Sequence, residues 1–124
     1  MSTRSRIIAK TTDGTIKSIY CHFDGYPEGV GAMLKEHYTD QGKIDTLMLL
    51  GDISFLRENL EKPEGHSFET PVEGYTVAYG RDRGEKNTQA KVHISIENVI
   101  ALMSGGWEEY AHIWDGSNWR TVEV

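Results

Sequence analysis

Residues 6–23 read RIIAKTTDGTIKSIYCHF, and the order of residue types along this stretch decides the fold. An apolar start at Ile7 and Ile8 runs into the turn signal Thr12-Asp13-Gly14-Thr15, and a β-rich run from Ile16 to Phe23 follows. Apolar runs separated by an Asp-Gly turn predict a β-hairpin. Side chains alternate across a strand, so Ile19, Cys21 and Phe23 share one face while Ile16, Ser18, Tyr20 and His22 share the other. The first set is the expected core face. A second hairpin is predicted at the far end, where residues 110–114 and 119–122 flank Asp115-Gly116-Ser117-Asn118.

Between the hairpins the period changes. Pro27 and Glu28 suit the first turn of a helix, and Val30, Met33, Leu34, His37 and Tyr38 recur at helical spacing as far as Thr39-Asp40. A second helix starts there, capped by Thr39 or Asp40, with Ile44, Leu47, Met48 and Leu50 apolar and Gly51 as its stop. Residues 52–56 read as a short capped turn or helix. Residues 57–73 hold Pro63, Gly65 and Pro71 among charges and read as a surface loop, the least ordered part of the chain. Residues 75–79 and 90–93 are expected to be a pair of short strands joined by a polar turn over 81–87. Ser95 caps a third helix carrying Ile96, Val99, Ile100 and Met103, stopped by Gly105-Gly106. The sum is one α+β domain, an antiparallel sheet with about three helices packed on one face and a hairpin at each end of the chain. The βαβ alternation of a doubly wound sheet is missing.

Composition agrees. The chain has 124 residues, 38% hydrophobic and 26% charged, enough for one self-sufficient core and too apolar for disorder. No apolar run is long enough to cross a bilayer, and residues 1–6 lead into a strand rather than a signal-peptide core, so a cytoplasmic location without membrane attachment is expected. One cysteine, Cys21, excludes an internal disulfide and, with Ile19 and Phe23 beside it, reads as core rather than nucleophile. Acidic residues outnumber basic ones 19 to 13, a formal charge of -6, which disfavours duplex nucleic acid unless the basic groups gather on one face.

Two turns could carry chemistry. A strand end delivers His22 and Asp24 into a glycine turn, where Asp24 could orient His22 as a general base or both could bind a cation. The plainer reading has Asp24 capping the turn and His22 half-buried beside Tyr20. Arg81-Asp82-Arg83 follows a strand, and planar guanidinium forks suit phosphate or carboxylate. Its plainer reading is a solvated turn in which Asp82 and Glu85 neutralise the arginines. If both turns end at one sheet edge, His22, Asp24, Arg81, Asp82 and Arg83, flanked by Tyr26 and Tyr79, would form a single polar pocket. The histidines at 22, 37, 66, 93 and 112 show no HExxH or other metal spacing, and the glycines make no GxGxxG or Walker loop, so no metal and no cofactor is expected. Trp107, Trp114 and Trp119 either stack a base or partner, or cover the hairpin.

The segments IYCHFDGYPEGVG (residues 19–31), HYTD (37–40), GDIS (51–54) and VAYGRDRGE (77–85), with RSRI at residues 4–7, resemble those of a family of small uncharacterised phage and prophage proteins. The resemblance spans most of the chain, and it implies a setting rather than a reaction. It suggests an accessory protein that binds a host protein, such as an inhibitor of a CRISPR, restriction or other nucleic-acid-handling defence complex. The acidic residues Glu58, Glu61, Glu64, Glu69 and Glu73 of the loop and Glu108 and Glu109 before the last hairpin would then meet a basic partner surface, or serve only to keep the protein soluble. The alternative function is a nucleotide- or small-anion-binding protein, or a hydrolase, using His22, Asp24, Arg81 and Arg83.

Overall fold

In the computed structural model, which describes residues 2–124, both hairpins form where expected. β1 (Ser5–Lys10) and β2 (Ile16–Cys21) pair antiparallel with Ile7 opposite Ile19. β6 (Tyr110–Trp114) and β7 (Trp119–Glu123) do the same, with Trp114 opposite Trp119. Ile19 and Cys21 are fully buried, but Phe23 is 43% exposed. β2 ends at Cys21, and beyond it the chain bends through Asp24 at φ 58°, so alternation no longer aims Phe23 inward.

After this bend, Pro27–Gly31 forms a wide π-helical turn that runs into α1 (Ala32–His37). The Val30 N–H returns to the Asp24 carbonyl at 2.8 Å. A Cβ at Gly29 would lie 2.3 Å from the same carbonyl oxygen, so the close approach requires glycine. α2 (Gln41–Leu50) is capped by Asp40, whose carboxylate accepts the Lys43 N–H at 3.0 Å. It stops at Gly51, φ 83°, where a Cβ would meet the Thr88 carbonyl oxygen at 2.3 Å.

The middle of the chain departs from the sequence reading. Residues 52–56 form neither turn nor helix: β3 (Ile53–Phe55) pairs parallel with β2 and antiparallel with β4 (Val77–Ala78). Three residues are too few to show a period, so long-range pairing decides. β4 ends at Ala78 because Tyr79 opens a short helix, α3 (Tyr79–Arg83), where a strand end and a polar turn were expected. β5 (Lys91–His93) does not pair with β4; it lies against Ile16–Ser18 of β2. α4 (Ile96–Met103) is capped by Ser95, which accepts the Asn98 N–H at 3.0 Å.

The α+β class stands as expected. The sheet runs β4-β3-β2-β1-β6-β7 with β5 also on β2, and it is mixed rather than antiparallel throughout, since β1–β6 and β2–β3 are parallel. Nor do the helices share one face. Ile7, Ala9, Ile19 and Cys21 pack under Leu34, Ile44, Leu47 and Met48 of α1 and α2, whereas Ile8, Ala111 and Ile113 pack under Val99 and Met103 of α4. β1 lies at the sheet centre with Ile7, Ile8 and Ala9 all buried, so both faces must be covered. α4 spans roughly 12 Å at about 1.5 Å per residue and covers only the Ile8–Ile113 end of its face. Arg6, Tyr20 and His22, at the other end of that face, remain partly exposed. Among the described residues no helix is long and apolar enough to cross a membrane.

Candidate functional site

The uncovered end of the α4 face carries a cleft of about 380 Å³ lined by Arg4, Tyr20, Trp107 and Glu108. Alternation places Arg4 and Arg6 on the Ile8 side of β1, and Tyr20 beside them on β2. The chain leaving α4 is pinned against β1 by a bond from the Glu109 N–H to the Arg4 carbonyl at 2.8 Å, which brings Trp107 and Glu108 to the rim. Trp107 is 80% exposed, and the Arg4 guanidinium carbon lies 5.4 Å from its ring centroid. Glu108 is held by Arg6 at 2.8 Å, while Arg4 makes no ion pair among the described residues.

Tyr20 closes the other side, its phenol oxygen 2.7 Å from His22 Nδ1 behind it. Burial pushes the Tyr20 phenol up, with Arg4 opposing, and burial reinforced by Arg4 pushes the His22 imidazole down. Both groups are therefore uncharged at neutral pH, and the direction of the bond they share follows the imidazole tautomer. Beneath them Asp52 accepts the Tyr20 N–H at 2.9 Å. Burial raises its carboxyl, the Tyr20 N–H and Arg6 opposing.

A smaller hollow of about 150 Å³ lies alongside, lined by Arg6, Lys91, His93 and Glu108 against Leu102 and Met103 of α4. Behind it Ser18 Oγ accepts from Arg6 Nη1 at 2.9 Å and stands 2.7 Å from His93 Nε2. Burial, then Arg6 and Lys91, lower the His93 pKa, so the ring is neutral and its Nε2 can accept the Ser18 proton. A hydroxyl beside an imidazole is the arrangement of an activated nucleophile, but Ser18 is completely buried in mid-strand. No substrate reaches it; the pair serves to hold Arg6.

The residues singled out in the sequence are distributed differently. His22 sits half-buried beside Tyr20, the plainer of its two readings. Asp24 does not orient it, because its carboxylate is turned toward the Tyr26 hydroxyl, 3.5 Å away. Arg81 is not an anion site. Its fork bonds the carbonyls of Leu60 and of Thr76 (3.0 Å) and grips Asp82 at 2.9 and 3.1 Å. Asp82 also accepts the Ala78 N–H at 2.8 Å and faces the buried His66 Nε2 at 3.3 Å. Burial would raise the Asp82 carboxyl, but Arg81, the Ala78 N–H and His66 together hold it below the ordinary range. Arg83 pairs with Glu85 at 2.8 Å and lies over the rings of Phe68 and Tyr79. Neither turn lines the cleft or the hollow: His22 and Asp24 are absent from both, as are Arg81, Asp82 and Arg83.

Of the acidic set, Glu61, Glu64, Glu69, Glu73 and Glu109 are exposed and Glu58 is half-buried. Glu108 is withdrawn into its pair with Arg6 and is no part of an acidic surface. The loop bearing Glu58, Glu61, Glu64, Glu69 and Glu73 is clasped by Arg81 and by Lys43 Nζ on the Glu58 carbonyl at 2.6 Å. Cys21 is core, its thiol pushed up to about 12 by burial. Trp114 and Trp119 pack together, centroids 5.4 Å apart, and cover the second hairpin. Among the described residues no three His, Cys, Asp or Glu side chains are grouped to hold a metal.

Sequence reasoning missed Arg4, Lys91, His93 and the separate fate of Trp107. The i, i+2 spacing of Arg4 and Arg6 ahead of a buried strand was the one available signal, since it puts both on one face. Fold and site together define an α+β domain with a ligand-sized cleft on the open end of a mixed sheet. Comparisons with family models, with curated proteins and with solved structures find no match to this chain.

Proposed function

We propose that the protein is a small-ligand-binding protein whose cleft takes a flat unsaturated ring of nucleobase type. The observation that supports this reading is Trp107, largely in water at the rim, with the Arg4 guanidinium, in no ion pair among the described residues, beside it and Tyr20 opposite. An indole left in solvent forgoes a large apolar burial, and stacking a base on such a ring is worth roughly 1–3 kcal/mol. The small-ligand alternative drawn from the sequence thus keeps its ligand class but moves from His22, Asp24, Arg81 and Arg83 to Arg4, Tyr20 and Trp107, with His22 left only as the hydrogen-bond partner of Tyr20. Calorimetric and tryptophan-fluorescence titration with the common nucleosides and nucleotides tests it. Binding by the native protein that is lost in Trp107→Ala and weakened in Arg4→Ala is expected. Absence of binding at millimolar ligand would end the proposal.

A second reading follows the phage-type resemblance: an accessory protein that binds a basic surface of a host defence complex. It is favoured by the clasped loop, which sets out Glu61, Glu64, Glu69 and Glu73 at fixed exposed positions. Such a contact weakens as salt screens it. Capture of a basic protein at low salt only, abolished by reversing these four charges, is its expected signature.

A further inference from the structure

We infer that the ligand of the cleft is a phosphorylated nucleoside whose phosphate sits in the adjoining hollow on Lys91 and His93. This rests on the ring-binding proposal and adds the anionic end of the ligand. Glu108 lines both spaces, so they adjoin at that side chain. Its charge is met by Arg6 at 2.8 Å, which removes most of the barrier that a bare carboxylate would present to a phosphate.

The sizes divide the ligand. At about 380 Å³ the cleft falls within the range of small-molecule sites, whereas about 150 Å³ is too small for a base and sugar and suits a tetrahedral anion. The donors divide it in the same way. Lys91 is exposed and in no ion pair among the described residues. Arg6 donates to Ser18, whose hydroxyl shares a 2.7 Å bond with His93 Nε2, and in the tautomer in which Ser18 donates, the imidazole proton lies on Nδ1 as a further donor. Two carboxylates stand nearby: Glu108, committed to Arg6, and Asp52, committed to the Tyr20 N–H. Against a chain of formal charge -6, Arg4, Arg6 and Lys91 thus gather on one face, the condition under which an acidic protein can accept phosphate.

The experiment uses the full chain, titrated in parallel with the four common nucleosides, their monophosphates and inorganic phosphate. The preferred monophosphate should bind about tenfold or more tightly than its nucleoside, the scale of one charge-assisted hydrogen bond. Lys91→Ala should bring the monophosphate down to the level of the nucleoside and leave nucleoside affinity unchanged. Lys91→Glu should put the monophosphate below it. Equal affinity of nucleoside and monophosphate, or an advantage that survives Lys91→Ala, overturns the inference while the ring-binding proposal stands. Phosphate binding through Lys91 with no ring bound through Trp107 overturns the ring-binding proposal and, with it, this assignment.

Discussion

Two arginine-bearing regions of this molecule have opposite fates. Around Arg81 the guanidinium fork is surrounded by carbonyls and a buried carboxylate, and its bonds are spent closing the 57–76 loop onto α3. Around Arg4 the guanidinium lies over an exposed indole in an open cleft, without a carboxylate partner among the described residues. Arginine is the residue of choice for both tasks, because the same planar fork serves a buried pair and a bound anion. What separates a clasp from a site is whether the chain itself supplies the acceptors. The RDRGE segment carries its own acids at Asp82 and Glu85, and the local motif that looked most like an anion site is therefore satisfied from within.

The largest expected effect breaks the clasp. Arg81→Ala strands a fully buried Asp82 carboxylate and should lower the unfolding free energy by about 3 kcal/mol, the lower end for breaking a buried pair because Arg81 is 24% exposed. Urea denaturation measures the loss, and a change below about 1 kcal/mol would show that the fork is dispensable. The folded fraction should keep its affinity for a ring ligand, since Arg81 lines neither space.

The clasp should also show in the acid limb. The Asp82 carboxyl is held below its ordinary value of 3.8. The stability it contributes is present above that pH and is lost as pH falls through the lower folded-state value. Asp82→Asn should therefore be less stable than the native protein at neutral pH and lose less on acidification below about pH 4. Parallel slopes for the two proteins in urea melts across pH 2–5 would contradict the assignment.

The cleft should behave in the reverse manner. Trp107→Ala and Arg4→Ala remove groups with few internal partners and should each change stability by less than about 1 kcal/mol, while ring binding is lost in the first and weakened in the second. A large loss of stability with either would recast the cleft as structural. Arg83→Ala, which removes only an exposed pair with Glu85 and the stacking on Phe68 and Tyr79, sets the lower bound. It should cost about 1 kcal/mol or less, and raising the salt concentration should shrink that cost.

What could be read directly from the chain was local. Turn chemistry at Thr12–Thr15 and Asp115–Asn118, the Asp40 and Ser95 caps and the apolar stripes of α2 and α4 all lie within one or two turns of sequence, where period and capping act. Residues 53–55 were illegible because a three-residue strand has no period, only partners, and for the strand at 77–78, expected within 75–79, it was the pairing with β3 that could not be read. His22 was placed correctly beside Tyr20 by alternation alone, but its separation from Asp24 depends on a backbone bend at φ 58° that propensity does not announce.

By itself, then, the sequence determined an α+β chain with a hairpin at each end, helices between them, a buried unreactive Cys21 and a surplus of acid. Tertiary structure alone decided that β1 takes the central place, paired parallel with β6 from the far end of the chain. It decided that α4 crosses to the opposite face, and that Arg4, Tyr20, Trp107 and Lys91 come together from four separate segments. The physical reason is range. Turns, caps and periodicity are set by neighbours along the chain, whereas strand order and the meeting of distant side chains follow from burying Ile7, Ile8 and Ala9 on both faces of one sheet.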